Sequence, residues 1–176
     1  LLRERLEASL AVDDAGDNLR QLSNLFSPIH SLRNVFLMMP SAGPDDWAVI
    51  GRRMRRVPEA LDQYRARLEA GAARNLYAAP RQVETVVGQI GEWLDSDWYR
   101  GFVAAGPQEQ GAELTSAAAV ATEGLAGIRA FLADTYLPAA DGTPDAVGAE
   151  RYARSARYWT GADLDLTEAY EYGWSE

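Results

Sequence analysis

His30 is the one imidazole in this sequence, and Cys is absent. Thiolate catalysis, Cys–zinc sites and disulfides are therefore excluded, and imidazole-rich metal sites with them. His30 stands in Ser27-Pro28-Ile29-His30-Ser31, so a hydroxyl and a base lie three residues apart. Nucleophilic triads draw their members from separate parts of a fold and need a third group to orient the base. The pair reads instead as a hydrogen-bonded or partly exposed His beside a helix entry.

Carboxylates gather twice. Asp13, Asp14 and Asp17 precede a helical pattern. A calcium loop counted from Asp13 would need Glu at its twelfth position, where Asn24 stands, and its Gly is misplaced. This cluster reads as a turn and helix cap. Asp163, Asp165 and Glu168 form the second group. Paired carboxylates can serve as acid and base or hold a divalent cation, but Asp165 and Glu168 have capping-box spacing, and capping is the expectation.

The cations are all Arg. Arg52, Arg53, Arg55 and Arg56 flank Met54, a run able to hold an anion or an acidic partner. At helical spacing they wrap away from the Met54–Val57 stripe, and Asp46, Glu59 and Asp62 are near enough in sequence to pair with them. A solvated face is the plainer reading, yet no other surface is a better candidate for an anion. Aromatic residues crowd into 93–99 and 152–174. Trp93 reads as core, whereas Tyr170, Tyr172 and Trp174 are candidates for a cleft or an interface.

Over 176 residues, 17 Arg face 26 acidic residues, for a net charge of −9. That balance excludes a binder of the nucleic-acid backbone, which must present positive charge to phosphate. The least polar stretch, 116–133, carries Glu123 and Arg129 and is too polar to span a bilayer. Lack of Cys fits a reducing cytoplasm.

Helices must position all of these groups. Trp47, Ile50, Met54, Val57, Leu61, Tyr64 and Leu68 follow at steps of three and four, one stripe down one face. Pro58 should kink that helix, and Asn75, tolerant of left-handed backbone, should end it. Val83, Val86, Val87, Ile90, Trp93 and Leu94 mark a second helix; Leu114, Ala118, Ala121, Leu125, Ile128, Leu132 and Tyr136 mark a third. No run alternates with period two over a strand's length. The expectation is an all-α single domain or sub-domain over 1–176, a bundle of long antiparallel helices. Its main helices are 46–75, 80–105 and 112–138, with a loop at 139–148. Shorter helices are expected over 1–11, 18–38 (interrupted at Pro28), 149–159 and from Asp165 onward.

Several short elements carry a resemblance. Arg56 to Tyr64, Leu68 to Gly71 and Ala79 to Val83 resemble the domain of unknown function 885 family of bacterial proteins. So do Ser27-Pro28, Arg33 to Phe36, Met39-Pro40, Gly148, Tyr152, Thr160 to Leu164, Glu168 and Gly173 to Glu176. The resemblance implies a helical zinc metallopeptidase-like protein whose His-Glu motif lies in its C-terminal half. Nothing here matches that motif, so no catalytic residue, no metal ligand and no cofactor is expected in this chain; zinc belongs to a downstream part of the parent. Asn75 replaces a common Gly, and Tyr170 a common His, which puts any contact of that His with a downstream site in doubt.

Two functions from different classes follow. One is a non-catalytic helical wall of a substrate cleft in a larger metallopeptidase-like protein, partnered by the rest of the same chain. The other is a stand-alone helical binding module without enzymatic activity. A start without Met and an end within a helical pattern favour the first as an expectation, with self-association through Tyr170 and Trp174 if the piece stands alone.

Overall fold

A computed structural model describes residues 2–176. The fold is all-α, and no strand occurs among the described residues. In chain order it runs α1 (Leu2–Asp14), a 3₁₀ turn (Asp17–Arg20), α2 (Pro28–Met38), α3 (Pro44–Met54), α4 (Val57–Ala72), α5 (Pro80–Asp95) and α6 (Trp98–Val103). A second 3₁₀ turn (Gln108–Gln110) leads into α7 (Gly111–Phe131), which passes through a π-helical stretch (Leu132–Tyr136) into the short α8 (Leu137–Ala139). After a loop come α9 (Gly148–Thr160) and α10 (Leu166–Ser175).

Proline sets several starts. Pro28, Pro44 and Pro80 open α2, α3 and α5, where the missing N–H has no helical partner to lose. Asp46 Oδ2 accepts from the backbone N–H of Ala42 and Gly43 at 2.9 and 3.3 Å, closing the mouth of α3. At α10, Asp165 Oδ1 accepts from the N–H groups of Thr167 and Glu168 at 2.9 and 3.1 Å. The cap expected there is present, carried by Asp165 alone among the described bonds.

The helix expected over 46–75 is two helices. Residues Arg55 and Arg56 form a turn, and Pro58 occupies the first turn of α4 instead of kinking a continuous rod. The stripe survives the break: Trp47, Ile50, Met54, Val57, Leu61, Tyr64 and Leu68 are all buried. Asn75 has φ +56° and ends this region in the left-handed conformation expected of it. The helix expected over 80–105 is likewise divided, at Asp97, whose φ is +48°.

Helices α3, α4, α5 and α6 pack around α7, and α2 packs on α4. Small residues make this approach close. Ala117, Ala118 and Ala121 are buried, and a Cβ on Gly124 would meet Pro58 at 3.1 Å. Val86, Ile90, Leu125, Ile128 and Leu132 complete the core, and the π-helical stretch carries the Tyr136 hydroxyl oxygen to where it accepts from the Ala78 N–H at 2.9 Å. Trp93 is only partly buried: it packs against the core, and the guanidinium of Arg33 lies over both Trp93 and Trp98 at 5.0 and 4.6 Å.

A thinner layer is built differently. The Asp17–Arg20 turn lies against α4, where Gly71 leaves room: a Cβ there would come 2.7 Å from the Leu19 carbonyl oxygen. Helix α1 packs on that turn and on α9. Neither α9 nor α10 buries a residue. Among the described residues no helix is long and apolar enough to cross a membrane.

Candidate functional site

Ser27 and His30 do meet. Ser27 Oγ lies 2.6 Å from His30 Nδ1, and His30 Nε2 lies 3.0 Å from Gln89 Oε1. An amide oxygen only accepts, so His30 carries its proton on Nε2, and its Nδ1 accepts a hydrogen bond from the Ser27 hydroxyl. Gln89 in turn donates to the Asn24 carbonyl at 3.0 Å. The chain of groups has the form of a nucleophile, base and orienter, but Gln89 brings no negative charge to balance an imidazolium, and Ser27, only 1% exposed, is closed to a substrate. Ser27-His30-Gln89 therefore pins α2 to α5. It also consumes both ring nitrogens of the one imidazole, so the residues present do not fit the zinc that the resemblance implies for the parent. Among the described residues, no group of three or more Asp, Glu or His side chains converges as a metal site.

The arginine run splits on the turn between α3 and α4. Arg52, Arg53, Arg55 and Arg56 are all exposed, as their phase on the helix dictates. Arg55 reaches across to α7, donating to Ser116 Oγ and the Glu113 carbonyl, both at 3.3 Å. Arg56 pairs with Glu59 at 3.1 Å, which holds the Glu59 carboxyl below its ordinary range. Arg53 and Arg56 rim a groove of about 260 Å³ whose floor includes Leu32, Val35 and Val57. Arg52 and Arg55 take no part in its lining. Of the acidic partners expected, Glu59 is engaged, while Asp46 serves the α3 cap.

Tyr170, Tyr172 and Trp174 are exposed on α10. Tyr170 joins Tyr152 and Trp159 of α9, with Leu164 and Leu166 between them, around a cavity of about 540 Å³. Tyr172 and Trp174 stand outside that cavity, although Trp174 meets Tyr170 edge-on at 6.1 Å. The aromatic density near the end of the sequence thus forms one concave wall and one outward face.

A further cluster has no counterpart in the sequence reading. Asp17, expected as part of a cap, is a hub for three guanidinium groups. Arg20 Nη2 and Arg151 Nε converge on its Oδ1 at 2.6 and 3.1 Å, and Arg154 Nε reaches Oδ2 at 3.1 Å. The Asp17 side chain is 12% exposed. Burial alone would raise its pKa; the hydrogen bonds from Arg20 and Arg154, with the charges of Arg151 and Arg154, outweigh burial and lower it. Arg151 is pulled the other way, its charged form disfavoured by burial and then by Arg20. One turn further along α9, Arg157 pairs with Glu4 at 2.6 Å and approaches Glu7 at 3.8 Å on α1. The signal available was the spacing of three between Arg151, Arg154 and Arg157, which places them on one face of α9.

A family model matches residues 1–176, and no relative among curated proteins matches the chain. The match covers the arginine run, the Asp17 hub and the aromatic wall alike. The chain belongs to the family described as bacterial protein of unknown function (DUF885).

Proposed function

We propose that this chain is a non-catalytic helical wall of a substrate cleft in a larger metallopeptidase-like protein, whose metal chemistry is carried by another part of that protein. The observation that carries the reading is the α9–α10 wall. Tyr152, Trp159 and Tyr170 are 58%, 76% and 65% exposed and still share one concavity. Aromatic side chains left in water at that density are spent on contact with something else, because burying each would stabilise by a few kcal/mol. A wall of this kind binds and orients a peptide and does no bond-breaking itself.

The test is made in the parent protein. Trp159→Ala and Tyr170→Ala should raise KM for peptide substrates about tenfold, with kcat and zinc content unchanged, as loss of uniform binding requires. Two variants with wild-type KM would reject the cleft wall.

The outward face supports a second reading. Tyr172 and Trp174 lie outside the cavity at 65% and 77% exposure. They suit a stand-alone helical binding module that engages a partner, or a second copy, through α10. A reading frame that continues into a His-Glu motif favours the first proposal; a stop codon after Glu176 favours the second.

A further inference from the structure

Two members of the Asp17 hub, Arg20 and Arg151, line a further cavity of about 510 Å³. Four segments enclose it: the 20–26 loop, the start of α5, the 143–147 loop and Arg151 of α9. Its walls are pinned. The Asn24 N–H donates to Gln82 Oε1 at 3.0 Å, Gln89 holds the Asn24 carbonyl, and Arg81 of α5 joins Asp145 of the 143–147 loop at 2.7 Å.

The charge at its inner end is out of balance. Arg20, Arg151 and Arg154 share Asp17, and the further carboxylate in reach, Glu150 on Arg154, is 93% exposed. A carboxylate offers about four acceptor sites, whereas each guanidinium brings five donors. The ion pairs described use Nη2 of Arg20 and Nε of Arg151, which leaves other guanidinium nitrogens of each; Arg20 Nε is covered by protein and takes no part. Both residues line the cavity. The remainder of the lining includes Leu25, Phe26 and Val147, which are 66%, 80% and 48% exposed.

We propose that this cavity binds a small carboxylate-bearing molecule with an apolar body, its carboxylate on Arg20 and Arg151 and its body against Leu25, Phe26 and Val147. The inference does not rest on the cleft-wall reading. A carboxylate is preferred to a phosphate dianion on charge. Three cations against Asp17 and the solvated Glu150 leave room for one more negative charge, and Asp145 in the lining is already balanced by Arg81. The volume lies in the range of small-molecule sites, about 300–1,000 Å³.

Calorimetric titration of the full chain decides it, using hippurate, the uncharged hippuramide and phenyl phosphate as probes. Hippurate should bind with Kd below about 1 mM, and the amide about tenfold or more weaker. Arg151→Met should weaken hippurate about tenfold, and Phe26→Ala, at an exposed position that folding does not need, severalfold. No hippurate binding by the folded chain overturns the proposal. So does equal binding of the amide, or tighter binding of phenyl phosphate. Should Arg151→Met fail to fold, an unchanged Kd in Phe26→Ala overturns the placement of the ligand's body.

Discussion

Replacing Asp17 by Asn should release α9 from the rest of the molecule while leaving α7 protected. Helix α9 buries no residue, so its attachment rests largely on the ion pairs of Arg151 and Arg154 with Asp17 and of Arg157 with Glu4, and on a hydrogen bond from Arg5 Nη1 to the Tyr158 carbonyl at 3.0 Å. Hydrogen bonds to charged groups contribute about 1.5–3 kcal/mol each, but Arg151 and Arg154 share one acceptor and are 30% and 20% exposed. Taking the two as a coupled unit gives a loss of about 2–3 kcal/mol for the α9 attachment. At about 1.4 kcal/mol per factor of ten, amide exchange across 148–160 should speed by about 30–150-fold.

The assay is native-state hydrogen exchange on wild type and Asp17→Asn, at low and at high salt. Salt at about 1 M shortens the screening length to about 3 Å and should narrow the gap between the two proteins. Acid should act in the same way. The Asp17 pKa is lowered by folding, so its contribution is complete above the unfolded value near 3.9 and fades as pH falls through the folded one. A change below about threefold in α9 exchange would refute the reasoning, since the hub would then hold nothing. Equal acceleration in α7 would refute it differently, by showing that α9 and the core open together.

Leu61→Ala, at a position 2% exposed in α4, should cost about 2–5 kcal/mol in denaturant unfolding; a neutral result would reject the register of the α3–α4 stripe. Tyr99 and Tyr136 should part company on conversion to Phe. The Tyr99 hydroxyl is buried without a partner and should be dispensable, whereas Tyr136→Phe strands the buried Ala78 N–H and should cost about 1–3 kcal/mol. Burial raises the pKa of Tyr64, Tyr99 and Tyr136, so the neutral phenols favour the fold. Their contribution is complete below about pH 10 and is lost as pH climbs beyond it, a decline that Tyr99→Phe should make shallower in alkaline melts.

The core was legible because burial imposes a period that local irregularities do not erase. Trp47 through Leu68 keep their steps of three and four across the Arg55–Arg56 turn, so the stripe announced the face although it hid the break. Asn75 could be read as a left-handed terminus from its side chain. Asp97 could not: with Asp95 and Ser96 it looks like the polar side of a continuing helix, and only packing of Trp98 and Tyr99 demands the break. The hub was invisible for another reason. Asp17 and Arg154 are 137 residues apart, and a charged side chain carries no local mark of the partner it will meet. A carboxylate beside a helix start reads as a cap, and spaced arginines read as a wet surface, until the chain path brings them together.

Two kinds of adhesion therefore divide the molecule. Helices α2 to α7 are held by apolar burial, which salt and moderate pH barely touch; α1, the Asp17–Arg20 turn and α9 are held mainly by charge. The 510 Å³ cavity lies across that joint, with Gln82 and Tyr77 on the buried side and Arg151 on the ionic side. A carboxylate held by both Arg20 and Arg151 would bridge the two and add to what Asp17 already does there. It would also neutralise the repulsion that burial imposes between those two cations. On that proposal, a ligand that prefers the docked arrangement of α9 would stabilise the docking by the same coupling free energy with which docking favours the ligand. Because α9 also carries Tyr152 and Trp159, its docking fixes one side of the aromatic wall, and Asp17 is one of the carboxylates, with Glu4, that hold it there.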